Sequence, residues 1–129
     1  MKLEQRRYYT PDQANRSLPL VAAIARDVAD GAQDIRRVWL ELKDFRGDST
    51  AREALLDSMR DLEERFARLN DELDELGVEL KDPFTGLLDF RAQRQREEVY
   101  LCWKLGEQHV DHWHTLEGGF AARRPLSTF

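Results

Sequence analysis

Apolar residues recur along the first two thirds of the chain at alternating steps of three and four. One series runs Val21, Ile24, Val28, Gly31, Ile35, Val38, Leu42 and Phe45, and a second runs Leu55, Met59, Leu62, Phe66, Leu69, Leu73 and Leu76. Such spacing holds the apolar positions along one side of a helix, as in a coiled-coil seam. Gly31 is the weak point of the first series, costing about 1 kcal/mol relative to alanine in a helix interior. The two series predict a long helical hairpin over residues 11–46 and 50–77. A short turn between helices of similar repeat makes them antiparallel. Charged residues between the seams, such as Arg60, Glu64 and Arg68, read as a solvated face.

Punctuation along the chain refines this picture. Thr10 precedes Pro11 and Gln13, which is a capping box with proline at the first helical position. Pro19 removes a backbone donor and predicts a break, so a short opening helix gives way to a longer one starting at Ser17 or Leu18. Gly47 then ends that helix, Thr50 with Glu53 forms a second capping box, and Gly77 stops the second helix.

After Gly77 the period changes to two. In "EEVYLCWKL" the residues Val99, Leu101, Trp103 and Leu105 face one way, while Glu98, Tyr100, Cys102 and Lys104 face the other. "GLLDF" is the expected partner strand, and "RAQRQRE" the loop between them, although it lacks the Asn-Gly signal of a tight turn. "QHVDHWHTLE" reads as a short helix with Val110, Trp113 and Leu116 on its buried side, and "RRPLSTF" as an extended tail. The fold class expected is α+β, mostly α, as one domain over 1–129. Residues 78–129 supply a β-hairpin and the short C-terminal helix.

Composition narrows the function. The 129 residues are 35% charged with a net charge of −5, which argues against a nucleic-acid binder that works by neutralising phosphates. The single cysteine, Cys102, excludes an internal disulfide and fits a reducing cytoplasm. The opening "MKLEQRRYYTPDQ" has no apolar secretory core, and no run is long and apolar enough for a membrane span. The expectation is a cytoplasmic protein with no nucleic-acid or membrane partner.

Candidate chemistry gathers in the last third. On a helix, Asp111, His114 and Glu117 lie three apart and share one side. Carboxylate-bridged metal sites use Glu-x-x-His at the same spacing. Glu107 lies two turns, about 10 Å, from His114 and joins only from an unwound start. The metal candidates are therefore Glu107, Asp111, His114 and Glu117, for a divalent ion such as Zn, Fe, Mn or Ni. The competing structural reading has His114 simply pinning the helix by hydrogen bonds. His109 and His112 edge the apolar side, a pair suited to opportunistic metal binding. Lys81, Asp82, Asp89 and Trp103 are candidates for the wall of a ligand pocket. Asp82, next to Pro83, is more simply turn chemistry. Asp89 sits mid-strand, where aspartate is disfavoured, and needs a specific partner such as a basic side chain or His114. Cys102, with no base on its own strand, reads as a packed thiol. Arg91, Arg94, Arg96, Arg123 and Arg124 read as solubilising charge or as salt bridges to a second subunit. No phosphate loop, nucleophile elbow or zincin motif is present, so no residue is assigned a catalytic role and whether the protein is an enzyme stays open.

Three segments carry a family likeness: "ELKDPFTGLLDF", "EVYLCWKLGE", and "WHTLEGGF" with "RRPL"; the N-terminal "YYTPDQANRSLPLV" joins them. Nearly the whole chain thereby resembles a bacterial family of unknown function, DUF2203. The resemblance implies a helical hairpin with a small strand pair and no established activity. It covers Lys81, Asp82, Gly86, Asp89, Phe90, Trp103, Gly106, Glu107, Trp113, His114 and Arg123, with Glu117 at a position that usually carries an acid. His109, Asp111 and His112 depart from it. The first reading of function is a non-catalytic interaction or scaffold module that homodimerises through its helical hairpin, four helices together. The alternative is a small metal- or ligand-binding protein, an enzyme included, working through the C-terminal carboxylates and histidine.

Overall fold

The computed structural model describes residues 7–129; residues 1–6, which carry part of the opening read above as lacking a secretory core, lie outside the described residues. Thr10 caps α1 (Pro11–Lys43), accepting from the Gln13 amide while the Gln13 side chain accepts from the Thr10 amide. This is the expected capping box. The break at Pro19 does not occur: α1 runs through it without interruption. Pro19 is exposed, whereas Leu18 and Val21 beside it are buried. Burial of those neighbours outweighs the about 3 kcal/mol that an interior proline costs.

Helix α1 ends at Lys43, capped by Asp44 rather than stopped at Gly47. Helix α2 (Ser49–Glu75) begins two residues earlier than the Thr50 cap with Glu53 suggested. Its cap is Asp48, whose carboxylate accepts from the Ala51 amide at 2.8 Å. Ionised aspartate is among the strongest N-caps and also meets the helix dipole. The two helices pack along each other, and exposed pairs such as Arg37–Asp34 and Arg65–Asp27 decorate their outer faces.

The remainder is not one hairpin but a five-stranded antiparallel meander: β1 (Val78–Asp82), β2 (Leu87–Arg94), β3 (Glu97–Lys104), β4 (His112–Thr115) and β5 (Arg124–Pro125), in that order. The loop expected over 91–97 is strand for most of its length. Gln95 and Arg96 alone make the turn, both at positive φ (50° and 75°). That is the left-handed geometry of a two-residue hairpin turn, achieved here without glycine or asparagine. The expected C-terminal helix is also absent. Residues 112–115 pair with β3 as a fourth strand, and the tail pairs in turn with β4 as the edge.

One face of the sheet packs on the helices. Leu88, Phe90, Leu101, Trp103 and Trp113 lie on it and are buried against Val21, Ile24, Val28, Leu69 and Leu73. Tyr9 ties the layers together: its amide donates to Arg91 O, its hydroxyl to Leu76 O, and its ring meets Phe90 edge-on at 5.1 Å. Asn15 of α1 clamps the loop before β4, accepting from Val110 N at 2.8 Å and donating to Val110 O at 3.2 Å. No helix among the described residues is long and apolar enough to cross a membrane.

Candidate metal centre

The face of the sheet turned away from the helices carries the chemistry. Strand alternation puts Asp89, Cys102 and His114 on that face, and pairing sets their spacing: Asp89 is directly opposite Cys102, and His114 is opposite Tyr100. His114 reaches from β4 across β3 to β2, where its Nε2 lies 3.0 and 3.1 Å from the two carboxylate oxygens of Asp89. All three residues are buried, and their ligand atoms lie within 4.8 Å of one another. The partner that a mid-strand Asp89 required is thus His114.

The second ring nitrogen of His114, Nδ1, lies 2.6 Å from the Thr115 carbonyl. That carbonyl can only accept, so Nδ1 carries a proton and Nε2 is the nitrogen available to a ligand. Burial pushes the Asp89 carboxyl up, while the charge and hydrogen bond of His114 pull it down; burial prevails. Burial, then the charge of Asp89, pushes the Cys102 thiol up to about 12, against the pull of Arg123. A thiol held that high is neutral near pH 7 and is no nucleophile by itself. A metal ion deprotonates a coordinating thiol outright.

Tetrahedral zinc bound at about 2.0–2.3 Å keeps its ligand atoms about 3.3–3.7 Å apart. The 3.0 Å between Nε2 and Asp89 needs only a slight opening to meet that spacing. A hydrogen bond from Nδ1 to a backbone carbonyl is also the usual way a protein fixes the ring of a ligating histidine.

Charged groups surround this core. Glu79, next to Asp89 in the sheet, accepts from Arg91 Nε at 2.8 Å, Lys81 Nζ at 2.9 Å and the Tyr100 hydroxyl at 3.0 Å. Burial raises the Glu79 carboxyl, but these hydrogen bonds and charges outweigh it and hold the group below the usual range. Arg123 pairs with Glu107 at 2.9 Å, and its charge is felt at the Cys102 thiol. A pocket of about 170 Å³ opens beside the three donors, walled by Lys81, Leu87, Tyr100, Leu116, Glu117 and Phe120.

The metal set expected from helical spacing does not assemble. With residues 112–115 in a strand, His114 turns toward Asp89, and Asp111 is exposed, its carbonyl accepting from Leu126 N. Glu107 is engaged by Arg123 and the Lys104 amide, and Glu117 is exposed at the pocket wall. Of the four, His114 alone belongs to the cluster. His109 is exposed and His112 faces Cys102 across the ladder. Among the ligand candidates, Lys81 and Asp89 do reach the pocket. Trp103 faces the helices, with its indole donating to Glu107 O. Asp82 makes the turn bond to Phe84 N at 3.0 Å. Of the basic residues, Arg91 and Arg123 make ion pairs within the chain, and Arg94 donates to the Thr128 and Phe129 carbonyls.

A family model described as an uncharacterized conserved protein, DUF2203, matches residues 7–126. No curated protein and no solved structure matches the chain.

Proposed function

Since the chain belongs to DUF2203, a family of uncharacterised conserved proteins, we propose from its own geometry that it is a divalent-metal-binding protein whose ion is held by Asp89, Cys102 and His114. The observation that carries the reading is the buried convergence of one carboxylate, one thiol and one imidazole within 4.8 Å. Thiolate and imidazole together select zinc over magnesium or calcium. Three protein ligands beside a pocket match the catalytic type of zinc site, which keeps a fourth position open, rather than the closed structural type.

Untagged protein is expected to bind one equivalent of Zn²⁺ in a competition titration with a chromophoric chelator. Cys102→Ser weakens binding by about 100-fold or more, since loss of an outer-shell partner alone costs 10–100-fold. Asp111→Asn and Glu117→Gln leave it unchanged. Equal loss in all three variants, or no stoichiometric binding by the wild type, removes the reading.

A second reading, homodimerisation through the helical hairpin, has its own support. The sheet covers only one end of the helices, α1 up to Val28 and α2 from Leu69. Farther out, Ile35, Leu42, Phe45, Leu55, Met59 and Leu62 are half-buried, and Trp39 and Leu40 are 53% and 49% exposed. In this stretch the two helices bury Ala32 and Val38 by themselves; a second pair can cover the rest of the seam. Light scattering is expected to give twice the 15.1 kDa chain mass, and Trp39→Glu with Leu40→Glu to return it to monomer. A wild-type monomer at micromolar concentration contradicts this reading and the scaffold role built on it.

A further inference from the structure

The three donors occupy one wall of the 170 Å³ pocket, so the fourth coordination position of the proposed ion faces into it. We propose that a small monocarboxylate enters there, its carboxylate completing the coordination beside Lys81 and its short alkyl chain lying against Leu87, Leu116 and Phe120. The inference rests on the metal reading above and names the ligand class of that site.

Size sets the first limit. At ~30 Å³ per water, the pocket holds about six waters' worth of ligand, which suits an acid of three or four carbons. Charge sets the second. A divalent ion with Asp89 and a Cys102 thiolate is neutral, so the surrounding groups decide what enters. Of these the pocket lining itself presents one cation, Lys81, and one acid, Glu117. The Lys81 ammonium beside a neutral ion favours a ligand with a single negative charge over an uncharged one. Glu117 at the pocket wall works against a dianion such as phosphate.

Lys81 is positioned for the role. Its ammonium is fixed over the Tyr100 ring at 4.7 Å and bonded to Glu79 at 2.9 Å, and its charge is felt at Asp89. It thus stands beside the ion without being one of its ligands. The apolar part of the wall is Leu87, Leu116 and Phe120, with Lys104 and Arg123 at 5.3 and 4.2 Å from the Phe120 ring.

The test uses full-length protein loaded with Co²⁺, which takes zinc-type sites and reports its coordination through visible bands. Propionate is titrated in, with propionamide as the neutral isostere and phosphate as the dianion. Propionate is expected to shift the cobalt bands saturably, and propionamide and phosphate to bind at least about tenfold more weakly. Lys81→Met should weaken propionate about tenfold while still binding one equivalent of Co²⁺. Intact cobalt bands that ignore propionate, or respond equally to propionamide, overturn the ligand class while leaving the metal reading in place. An unchanged propionate affinity in Lys81→Met overturns it too. Absence of the cobalt bands altogether removes the metal reading and this inference with it.

Discussion

Trp103→Ala is expected to lower the unfolding free energy by about 3–5 kcal/mol, the range for truncating a buried aromatic. Trp103 is 2% exposed and stands on the helix-facing side of β3, opposite Leu88. Truncation removes its share of the apolar core and leaves the Glu107 carbonyl without its indole donor. Trp103→Phe keeps most of the volume and loses the hydrogen bond, so its cost falls to about 1–2 kcal/mol. Urea melts of metal-free protein measure both. Zinc stoichiometry of the folded phenylalanine variant is expected to stay at one, because Asp89, Cys102 and His114 lie on the other side of the sheet. A Trp103→Phe protein that is fully stable but has lost its metal would return Trp103 to the ligand wall.

His114→Ala carries the second large effect, and its pH dependence identifies the cause. Asp89 is 3% exposed, and without His114 its carboxylate loses its buried partner, leaving the charge of Lys81 against the burial. Removing one partner of such a pair costs about 3–5 kcal/mol. Burial already raises Asp89 above its ordinary value. A buried acid with a raised folded pKa is penalised when ionised, so the penalty exists above the unfolded pKa and disappears below it. The stability lost in His114→Ala is therefore full at pH 7 and shrinks as the pH falls into the carboxylate range. Urea melts at pH 7 and pH 5 read the difference. A loss below about 1 kcal/mol, or one equal at both pH values, shows that Asp89 does not depend on His114.

Sequence periodicity sufficed for the helices because each seam repeats over many turns. It misplaced their ends, which depend on single caps: Asp48 competes with Thr50 for the same role, and Asp is the stronger cap once ionised. Pro19 misled for a related reason, since local cost was weighed without the burial of Leu18 and Val21 on either side. Strand β4 was illegible because four residues are too few to set a period of two apart from a helix. Val110, Trp113 and Leu116 sit three apart, which is helical spacing, yet Leu116 is 46% exposed, so the helical pattern had only two real anchors.

The metal cluster was half legible. Asp89 stood out as a carboxylate in mid-strand, and His114 as its possible partner. Cys102 did not, because its neighbours depend on register. A hairpin turning at Gln95 and Arg96 puts Asp89 directly opposite Cys102, whereas a seven-residue loop leaves the pairing free. The turn stayed hidden because it uses Gln-Arg at positive φ in place of Asn-Gly. The error at β4 then moved Asp111 and Glu117 beside His114 on a helix face that does not exist.

The central claim is that one sulfur, one nitrogen and one carboxylate oxygen of this chain hold the ion. Zinc-edge X-ray absorption of the loaded, untagged protein tests it most directly. The account predicts one sulfur scatterer at about 2.3 Å and a shell of nitrogen and oxygen at about 2.0–2.2 Å, with the sulfur lost in Cys102→Ser. A first shell of nitrogen and oxygen alone in the wild type would contradict it.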